Sequence, residues 1–197
     1  MAEAALQGMT LDEFLHWEDG TDTRYELVGG VVVAMAPPAP AHGFLAARLC
    51  IAIGSALRSR PPCMVQIEAG IARPDRDDTC YVADLAVTCN PPGPDDRLIR
   101  DPLLIVEVLS PTTASHDRQR KVADYRQIAS VQEILLIDSQ TVFAEVLRRS
   151  GDQWITEIVQ GPAATLTLMS VPMSVPMAEL YEGIALPAAR AGRSGTG

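Results

Sequence analysis

The segment LLIVEVL at 103–109 is almost continuously apolar, with one acid set inside it. Such a run predicts a central strand covered on both faces. Alternation puts Leu103, Ile105, Glu107 and Leu109 on one face and Leu104, Val106 and Val108 on the other. Three more runs, Met64–Ile71, Tyr81–Thr88 and Glu133–Asp138, read as strands. The linkers RPDRDD and NPPGPDD separate the first ones. TRYELVGGVVVAMA reads as a hairpin turning at Gly29-Gly30, where the missing Cβ permits φ > 0. Apolar residues at 45, 49, 52, 53 and 56 recur at helical spacing and predict a helix from about His42 to Leu57.

Thr10 and Glu13 form a capping-box pattern ahead of a short helix through LDEFLHW. A second long helix is expected from about Ser115 to Ala129, its buried side marked by Val122, Tyr125, Ile128 and Ala129. VFAEVLRR and WITEIV predict further antiparallel strands. TLTLMSVPMSVPM reads as edge strands broken by proline, and MAELYEGI as a last short helix. The order predicts a mixed α/β (α+β) fold on a central mixed sheet flanked by helices, without strict Rossmann alternation. One domain over 9–186 is expected, between a flexible N-terminus (1–8) and a disordered tail (187–197).

The chain has 197 residues, nearly half of them apolar, and a net charge of −9. No apolar run approaches the roughly 20 residues that span a bilayer, and no secretory signal is visible, so a cytoplasmic protein is expected. Cys50, Cys63, Cys80 and Cys89 show no metal-ligand spacing and are expected to be reduced thiols. The charge disfavours nonspecific attraction to nucleic acid, although Asp117 to Arg126 carries a local positive excess. Trp17 and Trp154 are expected in the core. Ser110 with His116 makes no hydrolase triad, and Gly29-Gly30 is followed by no phosphate-loop lysine.

Candidate chemistry rests on three residues. Lys121 is the only lysine, against fifteen arginines. The helical wheel turns it inward, fourteen residues after Glu107. Asp84, in YVADLAV, is a second acid in an apolar strand, on the face of Val82 and Ala86. Two inward acids on successive strands repel unless a cation lies between them, and hard oxygen ligands suit Mg²⁺ or Mn²⁺. The plainer alternatives are acids paired with arginines and a leftover surface lysine.

YELVGG, the helix near His42, VADLAV, LLIVEVLSPTT, DRQRKVADY and EILLID occur in that order. The set resembles the Uma-two family of restriction-endonuclease-like proteins, within the PD-(D/E)XK nuclease superfamily. The resemblance covers about residues 9 to 185. It implies a restriction-endonuclease-like fold and a Mg²⁺- or Mn²⁺-dependent endonuclease acting on nucleic acid, DNA foremost, with no membrane partner. It also implies Asp84, Glu107 and Lys121 as catalytic residues, although Ala83 stands where the family has proline and Leu109 where the short motif has lysine. Glu26 and the backbone carbonyl of Val108 would join Asp84 and Glu107 at the metal. His42 and Tyr125 match family positions that support the site, and Arg118 and Arg120 could contact flanking phosphates. A homodimer is expected by analogy. The alternative is a catalytically idle nuclease-like domain that binds nucleic acid or protein.

Overall fold

The computed structural model describes residues 8–111, 114 and 117–187. The expected N-terminal arm and C-terminal tail lie outside these, apart from Gly8 and Pro187, as do Ser115 and His116. Helix α1 (Leu11–His16) starts at Thr10, whose hydroxyl accepts the Glu13 amide while the Glu13 carboxylate accepts the Thr10 amide. Strands β1 (Tyr25–Val28) and β2 (Val31–Ala34) form the expected hairpin. Gly29 and Gly30 turn it with φ of 59° and 77°. Gly30 also touches Gly8, where an added Cβ would come within 2.8 Å of backbone. Helix α2 (Pro40–Leu57) has proline in its first turn, where a missing N–H costs nothing.

Strands β3 (Met64–Ala72), β4 (Cys80–Thr88) and β5 (Pro102–Leu109) follow. A π-helical turn, Asp117–Lys121, runs into helix α3 (Val122–Tyr125). Strands β6 (Glu133–Asp138), β7 (Phe143–Ser150) and β8 (Gln153–Gln160) complete an eight-stranded sheet. Only β5 and β6 pair in parallel, joined by the crossover that carries α3. Strands β9 (Thr165–Leu168) and β10 (Met173–Pro176) form a separate two-stranded sheet, followed by helix α4 (Met177–Leu180).

The central sheet divides two apolar layers. Leu45, Leu49, Ile53 and Leu57 of α2 pack on Leu104, Val106 and Val108 of β5, with Leu166, Val175 and Met177 closing the same layer. Ile105 and Leu109 point the other way, onto Val122, Tyr125, Ile128 and Ile134. The alternation read from LLIVEVL is therefore the alternation found.

Five expectations change. The 115–129 helix is shorter, because after Tyr125 the bonds tighten to three-residue turns (Gln127 N to Asp124 O, Ile128 N to Tyr125 O). Ile128 stays in the core but Ala129 swings out to solvent. Cys63 and Cys89 form a disulfide rather than remaining thiols. The β3–β4 register, which pairs Met64 with Thr88, brings these two flanking residues face to face. Trp17 is half-buried rather than core and meets Tyr25 edge-on, whereas Trp154, also half-buried, packs against the second apolar layer under the Arg149 guanidinium. The proline-broken run makes its own small sheet instead of an edge of the main one. Finally, α2 is long and apolar enough to cross a bilayer by length and composition, closer to a span than expected, yet its leucine face is spent on the sheet.

Candidate active site

The site is built where two strands part. Strand β3 runs along one whole edge of β4, from Ala72↔Cys80 to Met64↔Thr88. Strands β1 and β5 therefore share the other edge, β1 at Cys80 and β5 from Leu85 onward. Between them the backbone of β4 has no ladder partner, and side chains take the ladder's place. Glu26 Oε1 on β1 accepts the Val82 amide at 2.9 Å. Asp84 Oδ2 accepts the Val108 amide of β5 at 2.7 Å. Both acids thus have a structural reason to be there, since buried amides left unpaired are costly.

The facing pattern of β4 shifts by one residue at this point. Tyr81 and Ala83 pack in one layer and Leu85 and Val87 in the other, while Ala86 returns to the layer of Tyr81. Glu68, across from Asp84 in the β3 register, has φ of 52°, a left-handed conformation rare for a side chain of its size. Asp84 consequently lies at the β5 side of the gap between β1 and β5, bonded to the Val108 amide.

Lys121 enters this gap from the π-helical turn and is 5% exposed. Its ammonium lies 2.8 Å from Glu26 Oε1, 3.4 Å from Glu107 Oε1 and 3.5 Å from Asp117 Oδ1. It also donates to the Val82 carbonyl at 3.3 Å. Tyr125, one turn on, donates its hydroxyl to Glu107 Oε1 at 2.6 Å. Burial would strip the proton from Lys121, but the charges of Glu107, Glu26 and Asp117 outweigh it and hold its pKa above the usual lysine value. Glu107 is pushed up to about 8, by burial first, with the charges of Asp84 and Asp117 adding to it against the pull of Lys121. The Tyr125 phenol is raised far above its ordinary value, mainly by burial.

His42, in the first turns of α2, brings Nε2 to 3.2 Å from Asp84 Oδ2. Burial pulls the imidazole down, but the hydrogen bond and charge of Asp84 leave it raised overall. Asp84 and His42 form the floor of a cavity of about 760 Å³ between α2, the 36–39 loop and β3. Arg118 is turned to Glu145, at 3.3 Å. Arg120 is exposed beside Tyr81 and Asp124, in a separate hollow. Asp124 is itself tied to the Tyr81 hydroxyl at 2.6 Å and to Arg73 at 2.9 Å, which fastens α3 to the sheet.

The structure therefore gathers Glu26, Glu107, Lys121 and Tyr125 in one cluster, with Asp84 and His42 beside it. Asp117 was overlooked in the sequence, where it counted only toward surface charge; it is 3% exposed and joins the cluster. The one available signal was its place four residues before the inward lysine.

Among the described residues no three His, Cys, Asp or Glu groups are gathered as a bound metal would require. The ammonium of Lys121 sits where such a cation would bring Glu26, Glu107 and Asp117 together. In chemistry the donor set nevertheless fits a hard divalent ion. Four carboxyl groups (Glu26, Asp84, Glu107, Asp117) face one ammonium and one imidazole. Burial first, and then the charges of Asp84 and Asp117, push the Glu107 carboxyl up against the pull of the one ammonium.

The model of the Uma2 family, described as "Putative restriction endonuclease", matches residues 11–178. The uncharacterized protein slr1290 of Synechocystis is 28% identical over 177 residues, covering 88% of this chain and 92% of its own. A second uncharacterized Synechocystis protein, sll1609, is 25% identical over 169 residues, covering 84% and 96%. A crystal structure from Anabaena variabilis, described as a "putative nuclease belonging to DUF820", superposes with a TM-score of 0.73 at 20% identity over 88% of this chain and 97% of that one. The fold is thus that of a mixed sheet in restriction-endonuclease-like style. With the family match running from α1 into α4, the chain belongs to the Uma2 family of PD-(D/E)XK-like nucleases.

Proposed function

We propose that the protein is a metal-dependent endonuclease that hydrolyses phosphodiester bonds of nucleic acid, DNA foremost. The observation that carries this reading is the buried Lys121 ammonium within 3.4 Å of Glu107, beside an Asp84 carboxylate that opens onto a cavity. Asp84, Glu107 and the Val108 carbonyl, with Glu26 behind them, are the groups that would hold Mg²⁺ or Mn²⁺. Such an ion lowers the pKa of a bound water and offsets phosphate charge.

The chain's own residues do the rest. Val108 N fixes one oxygen of Asp84, and His42 fixes the same oxygen from the α2 side, so the carboxylate has one orientation. Tyr125 does the same for Glu107. Lys121 supplies a positive charge in a dry pocket, where it stabilises negative charge developing on the phosphoryl oxygens far better than it would in water. Hydrolysis adds water across the P–O bond and leaves a phosphomonoester and a hydroxyl.

The experiment is incubation of the full chain with DNA or RNA and Mn²⁺, beside Asp84→Asn. Cleavage by the parent that is lost in the variant supports the reading. Equal cleavage by both, or none by either, overturns it. The second reading is an idle nuclease-like domain that binds without cutting. It is favoured by one observation: the lysine already satisfies the acids that would take the metal.

A further inference from the structure

The substrate class is legible in the shape and chemistry of the cavity beside Asp84, granted the nuclease reading above. Its α2 wall is made of Gly43, Ala46 and Ala47, small residues at consecutive turns that leave the space open. Ile51 extends the same wall, and Pro37 and Ile67 close other sides. Most of the lining is apolar, and its charged groups fall in two places, the Asp84–His42 floor and an Arg24–Glu68 ion pair at the β3 side, with Ser110 and Cys50 as the other polar residues.

A duplex is held chiefly by cations on its phosphates. This surface has few to offer. Arg24, the arginine that lines the recess, is taken by Glu68. Elsewhere Arg73 is taken by Asp75 and Asp124, Arg76 by Asp78 and Arg118 by Glu145, while Arg120 is exposed in a separate hollow. The one lysine is buried. The whole chain has net charge −9. A paired base keeps its ring inside the stack and cannot use an apolar recess. An unpaired base can, and packing of its ring is largely indifferent to sequence and to surface charge. At about 760 Å³ the recess is ample for one nucleoside.

We infer that the cavity between α2 and β3 receives an unpaired nucleobase with its sugar, so that the adjoining phosphodiester lies on Asp84 and the enzyme acts on single-stranded or extrahelical nucleotides. The ring lies against Ala46, Ala47 and Pro37, and the phosphate faces the floor. The cut therefore falls beside a nucleotide that has left its stack.

The test uses the full chain, a labelled single-stranded DNA, its RNA counterpart, the same DNA paired with a complement, and that duplex with one bulged nucleotide. Ala47→Trp fills the recess from an exposed helix position, Phe44→Trp places the same ring on α2 outside the recess, and circular dichroism verifies both folds. The expected result is cleavage of single strands and of the bulge about tenfold faster than of the perfect duplex, a preference lost in Ala47→Trp and kept in Phe44→Trp. Equal or faster cutting of the perfect duplex overturns the inference, and so does a wild-type rate in Ala47→Trp. Binding is read separately, with 2-aminopurine in the strand and Ca²⁺ in place of Mn²⁺. If nothing is cut yet the strand binds the parent and not Ala47→Trp, the recess stands and the catalytic reading falls. If neither protein binds the strand, the recess falls too.

Discussion

Lys121 Nζ and Glu107 Oε1 meet at 3.4 Å inside the sheet, and the same ammonium reaches Glu26 at 2.8 Å. The lysine thereby acts as the internal counter-ion of these buried acids. Its removal should have two opposite effects. Lys121→Met is expected to bind Mn²⁺ about tenfold more tightly, because no ammonium has to be displaced. Titration calorimetry of parent and variant across a matched series of alkaline pH values reads this, because loss of the ammonium also raises the Glu107 carboxyl further. The same variant should lose about 100-fold in cleavage rate. Unchanged or weaker Mn²⁺ binding would show that lysine and metal occupy separate places.

Glu107 sets a pH dependence of stability. In the fold its carboxyl is pushed up to about 8, above the ordinary value of 4.5. Between those values the folded state holds a proton that the unfolded state gives up, so this group's contribution is full below about 4.5 and lost as pH rises through about 8. With EDTA present, the Tm should decline across that window, and the decline should be shallower in Glu107→Gln. Parallel profiles for the two proteins would refute the assignment of the slope to Glu107.

Tyr125 tests how far the site's order depends on one hydroxyl. The ring is fully buried and packs edge-on with Tyr81, so Tyr125→Phe keeps the packing and deletes only the donor to Glu107. Loss of a buried hydrogen bond of this kind costs about 1–3 kcal/mol. Denaturant unfolding of parent and variant should differ by that amount. A difference under about 0.5 kcal/mol would mean that Glu107 finds another donor.

Leu49 is the corresponding test for the core. It is fully buried in the α2 layer with Leu45 and Ile53. Leu49→Ala should cost about 2–5 kcal/mol, the usual range for a leucine truncated in a packed interior. The same unfolding curves measure it, and a cost near that of a surface change would mean that α2 is only loosely held to the sheet.

How much of this was legible in the chain depends on how local the cause is. The β5 alternation, the α1 cap and the Gly29-Gly30 turn follow from neighbours in sequence, and all stand as read. The inward aim of Lys121 also follows from local spacing, even though its turn is π-helical rather than α-helical. The gap that receives it does not, because that gap exists only through β1 and β5 sharing an edge of β4. For the same reason the Asp84–Val108 bond and the His42–Asp84 contact, 42 residues apart in the chain, could not be read from pattern. The apolar recess was invisible too, since small residues on a helix look alike whether they pack or leave space.

Cysteine chemistry offers a last expectation, and it separates the four thiol positions by environment. Cys63 and Cys89 are joined across the β3–β4 ends, while Cys50 and Cys80 are free. Cys80 is buried, and its thiol is pushed up to about 12, by burial first and then by the charge of Glu26. Only the thiolate reacts at a useful rate, so Cys80 should be inert to Ellman's reagent in the native state at neutral pH. Cys50 lines the open recess and should react. Native protein should therefore titrate as a single reactive thiol assigned to Cys50. Unfolding without reductant should expose Cys80 as well, and reduction should release Cys63 and Cys89. Rapid modification of Cys80 in the native fold would mean that the β1–β4 contact at Leu27 and Cys80 opens readily, and with it the edge on which Glu26 is held.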